Sequence, residues 1–218
     1  AAIVKTLDGG TTWGLCAVGV SDYLFDIEFF DTQYGIACGI NGKILRTSNF
    51  GDTWQECVTP NLAELYSISI PPFTTGEAYV SGENGTMLYT NNYGFSWQQQ
   101  TSGTTNHLKS VFFTDPDSGY VCGNNGTILR TTNKGVSWST INSGQLTMFN
   151  SVFFADSRTG YICGDGGVIL KSVDAGVSYG VEIPVTSNFL RRIFFVNREQ
   201  GWIAGETGTI LHTDGSSN

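Results

Sequence analysis

The chain has 218 residues, 40% of them hydrophobic, with a formal net charge of −8 and a pI near 4.6. It is long enough to bury a sizeable core. Its 11 basic residues form no run longer than Arg191-Arg192, which argues against a nucleic-acid partner, and no stretch of about 18 apolar residues is present to insert in a membrane.

Taken in chain order, one pattern keeps returning. It reads IVKTLDGGTTW at 3–13, ILRTSNFGDTW at 44–54, MLYTNNYGFSW at 87–97, TILRTTNKGVSW at 127–138 and ILKSVDAGVSY at 169–179, and a sixth copy opens at ILHTDG. The hydroxyl residues that open the copies, Thr6, Thr47, Thr90, Thr131, Ser172 and Thr213, are separated by 41, 43, 41, 41 and 41 residues. Self-similarity at such a period sets the architecture before local propensity does. Within the unit at 108–142 four β-rich runs follow one another: LKSVFFTD, SGYVCGN, GTILRTT and VSWSTIN, here called strands A to D.

Asn41-Gly42, Asn84-Gly85, Asn125-Gly126, Gly166-Gly167 and Thr207-Gly208 join B to C, a chemistry suited to two-residue type I′ hairpins. Four short antiparallel strands per period predict an all-β fold, a β-propeller of four-stranded blades over 1–218 as a single domain. Five blades are favoured, closed by pairing the first D strand with the last A and B. The alternative is an excerpt of a six- or seven-bladed ring, since C-type strands outnumber the others by one.

Between C and D the pattern Ser/Thr-x-Asp/Asn-x-Gly-x-Ser/Thr-Trp predicts a turn. Its Asp or Asn accepts backbone N–H bonds, its glycine supplies an unusual φ, and its ring turns inward. The positions are Asp8 and Trp13, Asn49 and Trp54, Asn92 and Trp97, Asn133 and Trp138, Asp174 and Tyr179. A buried ring of roughly 200 Å² is worth about 5 kcal/mol gross at about 25 cal/mol/Å², so these are structural staples. Three of the five turns lack the carboxylate, so no metal site is expected, and no cofactor-binding motif is present. Cys38, Cys122 and Cys163 share one place in strand B, and Cys16 and Cys57 one place in strand D. They read as small apolar fillers without disulfides.

The turn resembles the Asp-box of bacterial neuraminidase repeats. Together with SVFF and GYxCGxxGTILRTTNxGxSW it looks like the photosystem II assembly-factor-like propeller family, a repeat-level likeness through essentially the whole chain. A sialidase-like site would need an arginine cluster and paired carboxylates. The six arginines include Arg46 and Arg130, which share one solvated row with Lys5, Tyr89, Lys171 and His212, and the Arg-Ile-Pro signature is absent. Only Asp26 and Glu28 stand out as a carboxylate pair. His107 reads as a surface residue in a D–A loop. No catalytic residue is therefore assigned.

Residues that break a repeat at the loops of one face are candidates for function. Where strand A begins these are Phe25, Asp26, Tyr66, Lys109, Asn150, Arg191 and Arg192, a mixture of aromatics, amides and both charge signs suited to a protein or peptide partner. The family resemblance implies a seven-bladed ring with an arginine-rich surface; here Arg191 and Arg192 alone correspond. The expectation is a non-enzymatic binding or scaffold propeller of an exported bacterial protein, extracellular, on the cell surface or periplasmic, with any signal peptide outside this sequence. A carbohydrate-binding or glycosidase propeller is the alternative.

Overall fold

The computed structural model describes residues 2–214. Its strands form six antiparallel sheets, each following chain order. A half-blade pairs β1 (Val4–Lys5) with β2 (Gly14–Leu15). Blade 1 holds β3 (Leu24–Phe29), β4 (Gly35–Gly39), β5 (Ile44–Thr47) and β6 (Gln55–Glu56). Blade 2 holds β7 (Leu65–Ser69), β8 (Ala78–Gly82), β9 (Thr86–Thr90) and β10 (Gln98–Thr101). Blade 3 holds β11 (Leu108–Phe113), β12 (Gly119–Gly123), β13 (Ile128–Thr131) and β14 (Ser139–Thr140). Blade 4 holds β15 (Phe149–Phe154), β16 (Gly160–Gly164), β17 (Ile169–Ser172) and β18 (Gly180–Val181). Blade 5 has three strands, β19 (Leu190–Phe195), β20 (Gln200–Gly205) and β21 (Ile210–Asp214).

The B–C hairpins turn as their sequence requires, with positive φ at both central residues: 56° and 67° at Asn41-Gly42, 54° and 74° at Thr207-Gly208. Strand D is shorter than the sequence suggests, two residues in the half-blade and in blades 1, 3 and 4 and four in blade 2. It is the outermost strand and its residues are exposed, so little burial extends it.

The C–D turn is closed by side chains. In all five copies the opening hydroxyl accepts the glycine N–H, as from Gly10 to Thr6 at 2.8 Å and from Gly176 to Ser172 at 2.9 Å. The Asp or Asn accepts the N–H four residues on, at 2.9 to 3.0 Å. Asp and Asn interchange because the partner hydroxyl reverses: Ser178 donates to Asp174, while the Asn133 amide donates to Ser137. Free of burial, Asp8 is held down to about 2 by the Thr12 N–H and hydroxyl and by Thr6. The residue before the glycine also has positive φ, 64° at Phe50 and 60° at Lys134, which the glycine pattern did not announce.

Each blade's ring packs on the blade before it. Trp97 of blade 2 joins Ile36, Cys38 and Ile44 of blade 1, and Tyr179 of blade 4 joins Tyr120 and Ile128 of blade 3. Trp54 and Trp97 are buried, Trp138 and Tyr179 half-buried. Trp13 departs from the expected inward ring: it is 61% exposed. Its turn is formed like the others, with the indole N–H donating to the Gly10 carbonyl at 3.1 Å as Trp54 does to Gly51. What it lacks among the described residues is a sheet on the preceding side.

The seam expected for five closed blades is not present among the described residues. β2 pairs with β1, through Val4↔Leu15 and Lys5↔Gly14, instead of completing blade 5. β1 and β21 carry the same C-strand pattern, and β1 reaches β2 through a short, rigid turn, whereas β21 would have to close a far longer loop. The half-blade stacks on blade 1, with Ile3, Cys16 and Val18 against Ala37, Leu45 and Trp54. Among the described residues blade 5 therefore keeps three strands, and β1 and β2 form a sheet of their own. All five cysteines are free thiols, the strand-B trio buried.

Candidate functional site

The five A strands stand side by side around a cavity of ≈ 400 Å³ lined by Asp26, Glu28, Ser110, Phe153 and Arg192 among others. Each A strand is the edge of its sheet, so alternate N–H groups point away from it with no ladder partner. The preceding blade supplies the acceptor. Asp26 takes the Ile68 N–H at 2.9 Å, Ser67 that of Val111 at 3.4 Å, Ser110 that of Val152 at 3.2 Å and Ser151 that of Ile193 at 3.3 Å. Two residues on, Glu28 takes the Ile70 N–H at 2.8 Å and Ser69 that of Phe113 at 3.0 Å. Side chains that share one repeat position thus latch blade to blade.

Arg192 occupies that position in blade 5 and is a donor only. It reaches instead to Asp26 at 3.4 Å, bringing the inner strands of the first and last blades into contact. Burial and the adjacent Asp26 carboxylate push Glu28 up to about 7, against the Ile70 N–H and the Arg192 charge.

Every A strand carries a register shift between its first and third residues. The residue inside that β-bulge is Phe25, Tyr66, Lys109, Asn150 or Arg191. A bulge leaves its extra residue unpaired and re-aims the side chain, so five candidates are displayed in order around one mouth. They touch. Phe25 and Tyr66 rings lie 5.9 Å apart, and the Lys109 ammonium sits 3.5 Å from the Tyr66 ring centre. Tyr66 donates to Glu64 at 3.1 Å, and burial together with that bond raises its hydroxyl above the usual tyrosine range. Burial also pulls Lys109 below the usual lysine range. Asn150 donates to Asp165 and to the Leu190 carbonyl, both at 2.8 Å, and Arg191 pairs with Asp165 and Glu206. Arg191 is thus ion-paired and Lys109 is held over the Tyr66 ring, so the surface is aromatic and amide in character more than cationic.

A family model for the photosynthesis system II assembly factor YCF48 matches residues 6–102 and 95–181. The chain belongs to this family. No curated protein matches it. Among solved structures it is similar to "YCF48 bound to D1 peptide", at 17% identity and a TM-score of 0.54, over 96% of this chain and 97% of that one. It is also similar to an ancestral GH74 enzyme, at 14% identity and a TM-score of 0.64, covering 99% of this chain but 28% of that one. At these identities both likenesses show a shared fold and nothing finer.

Within this YCF48-family propeller the sequence-predicted rim divides in two. Phe25, Tyr66, Lys109, Asn150 and Arg191 are the bulged residues of the mouth, while Asp26 and Arg192 belong to the channel wall. His107 is not a free surface residue: its Nδ1 accepts the Asn84 N–H at 3.2 Å, tying a D–A loop to a hairpin. The strand-C row is not merely solvated either, since Arg130 donates to the Ala175 carbonyl at 2.8 Å and Arg46 lies over the Phe95 ring. Long side chains at that place reach the next blade's C–D turn. The latch serines went unassigned in the sequence, although three serines at one repeat position beside a carboxylate and an arginine were the available signal.

Proposed function

We propose that this chain is a non-enzymatic, assembly-factor-like propeller that binds a peptide segment of a protein partner across the channel mouth. The observation that carries the reading is the bulge repeated at the same place in all five inner strands, which turns five dissimilar side chains toward one opening. Family membership and the peptide named with the YCF48 structure support it. The exported bacterial setting is part of the proposal and rests on composition: few lysines and many Asn, Ser, Thr and Gly residues.

Peptides selected by display on the intact chain test it. Binding should be lost at least tenfold in the Tyr66→Ala, Arg191→Ala double variant and unchanged in Thr140→Ala on an outer strand. Equal binding by the double variant would remove the mouth from consideration. The Asp26–Glu28 pair, with one carboxyl near 7, favours one second reading, an oligosaccharide in the channel. Saturable sugar binding lost in Asp26→Ala or Arg192→Ala would establish it.

A further inference from the structure

Blade 2 departs from its repeat at the outer edge. Its D strand, β10, runs four residues and pairs with β9 residue for residue without a bulge, whereas β2, β6, β14 and β18 stop at two. Side chains hold it from both faces. Gln99 accepts from the Asn61 amide at 3.2 Å, in the loop before the blade, and Gln100 donates to the Lys134 carbonyl at 3.0 Å, in the C–D turn of blade 3. The outer side of the strand is open. β10 ends its sheet, and outside the β9 ladder no backbone group of residues 98–103 meets a backbone partner among the described residues. Gln98, Gln99 and Thr101 are exposed.

Free edges are ordinarily blunted by shortness, by a charge or a proline, or by a bulge, and β10 has none of these. The segment that continues it, 98–106, reads QQQTSGTTN and is the longest run of uncharged polar residues and glycine in the chain. It borders an open cleft of ≈ 720 Å³, lined by the amides of Asn84, Gln99, Gln100 and Asn106 and by hydroxyls and glycines, with no charged or apolar side chain. From Cys57 to Asn106 the chain has no lysine or arginine, and its three carboxylates there, Glu64, Glu77 and Glu83, lie outside both the strand and the cleft.

We propose that β10 is a self-association edge, on which two copies of the chain pair their β10 strands antiparallel about a twofold axis and join two four-stranded blades into one continuous sheet. The second copy is the occupant that the chemistry fits. In an isologous contact each segment meets itself, so amides and hydroxyls face amides and hydroxyls and no charge is stripped of water. A chain of net charge −8 repels its own kind over most of its surface, and this edge offers an approach without like charges. A charged peptide would find no countercharge in the cleft. Strand addition supplies main-chain bonds, and stacked glutamine amides add to them. A four-residue pair stands at the low end of interface size, so the dimer is weak, with Kd between about 10 μM and 1 mM. The contact is separate from the mouth, since none of Phe25, Tyr66, Lys109, Asn150 and Arg191 lines the cleft.

Sedimentation equilibrium of the intact chain over that concentration range tests it, with amide hydrogen exchange at the two ends of the range. A monomer–dimer equilibrium is expected, with exchange at 98–103 slowed in the concentrated sample. The Gln98→Lys, Thr101→Lys double variant should weaken dimerisation at least tenfold, and so should Gln98→Glu, Thr101→Glu, because each brings like charges together across the twofold axis. An equimolar mixture of the two should restore it, which variants that had merely disturbed the fold would not do. Ser139→Lys on the short edge of blade 3 and the Tyr66→Ala, Arg191→Ala double variant of the mouth should leave it unchanged. A chain still monomeric at about 1 mM, a dimer that either charged variant keeps, protection that falls elsewhere, or loss of the dimer in the mouth variant would overturn the proposal. So would saturable binding of a synthetic peptide of residues 98–106 to a chain that stays monomeric, which would assign the edge to a foreign strand.

Discussion

Replacing Ser110 by alanine tests the inter-blade latch with one atom. Ser110 is 2% exposed and its Oγ accepts the Val152 N–H at 3.2 Å, with Val152 itself 3% exposed. An intramolecular hydrogen bond is worth about 0.5–1.5 kcal/mol net, and a buried donor left without a partner costs about 1–3 kcal/mol. The channel beside Val152 is wide enough to admit water, which relieves part of that cost. The expected loss is about 1–2 kcal/mol, and about 3–6 kcal/mol for Ser67, Ser110 and Ser151 together, since the three latches share no partner. Urea unfolding at constant m measures it. The control lies in the same molecule. Ser81 is 0% exposed and its hydroxyl has no partner among the described residues. Ser81→Ala should therefore be neutral or stabilising, as Ala204 at the same repeat position suggests. If Ser81→Ala and Ser110→Ala cost the same, the latch reasoning fails and only side-chain volume matters at these sites.

Three further outcomes follow from the same geometry. Glu28 has a folded value of about 7 against an ordinary 4.5, so the folded state holds the extra proton between those limits. The Glu28 contribution to stability is then fully present below about 4.5 and falls by up to about 3 kcal/mol as pH rises to 7; Glu28→Gln should remove that part of the slope, and an unchanged slope would refute the assignment. Asn133→Asp should shift stability by less than about 0.5 kcal/mol because Ser137 can reverse its hydroxyl, whereas Asn133→Ala should cost about 1–2 kcal/mol. Gly176→Ala, at φ 72° and with its Cβ 2.4 Å from a Tyr120 ring carbon, should lose several kcal/mol by adding roughly 1–3 kcal/mol of overpacking to the left-handed strain. Gly208→Ala, at φ 74° with nothing within 4 Å, should lose only the strain, about 1 kcal/mol. Thermal and chemical denaturation compare the two.

Local chemistry was legible in the chain because it closes within one unit. The Asn-Gly hairpins, the hydroxyl and amide of the C–D turn, and the glycine at its fifth position all find their partners within a few residues, so spacing alone announces them. Contacts between blades were half legible. The rings at Trp54, Trp97 and Trp138 declared a buried staple but not which neighbour they staple to, and for that reason Trp13, which has the same turn and no preceding sheet, was read as buried. The mouth was found through its irregular residues, but the β-bulge that aims them leaves no mark in composition. It depends on how strand A meets strand B.

The latch column shows where such information does reside. At the third place of strand A the chain carries Asp26, Ser67, Ser110, Ser151 and Arg192. Four of these can accept a hydrogen bond and one cannot. An edge strand in a ring must have its outward N–H groups satisfied by the neighbour, so a column of small acceptors marks the junctions between blades. Its single break, at Arg192, marks the blade for which no described sheet follows. The guanidinium turns to Asp26 instead, and the charge that ends the column meets the charge that begins it.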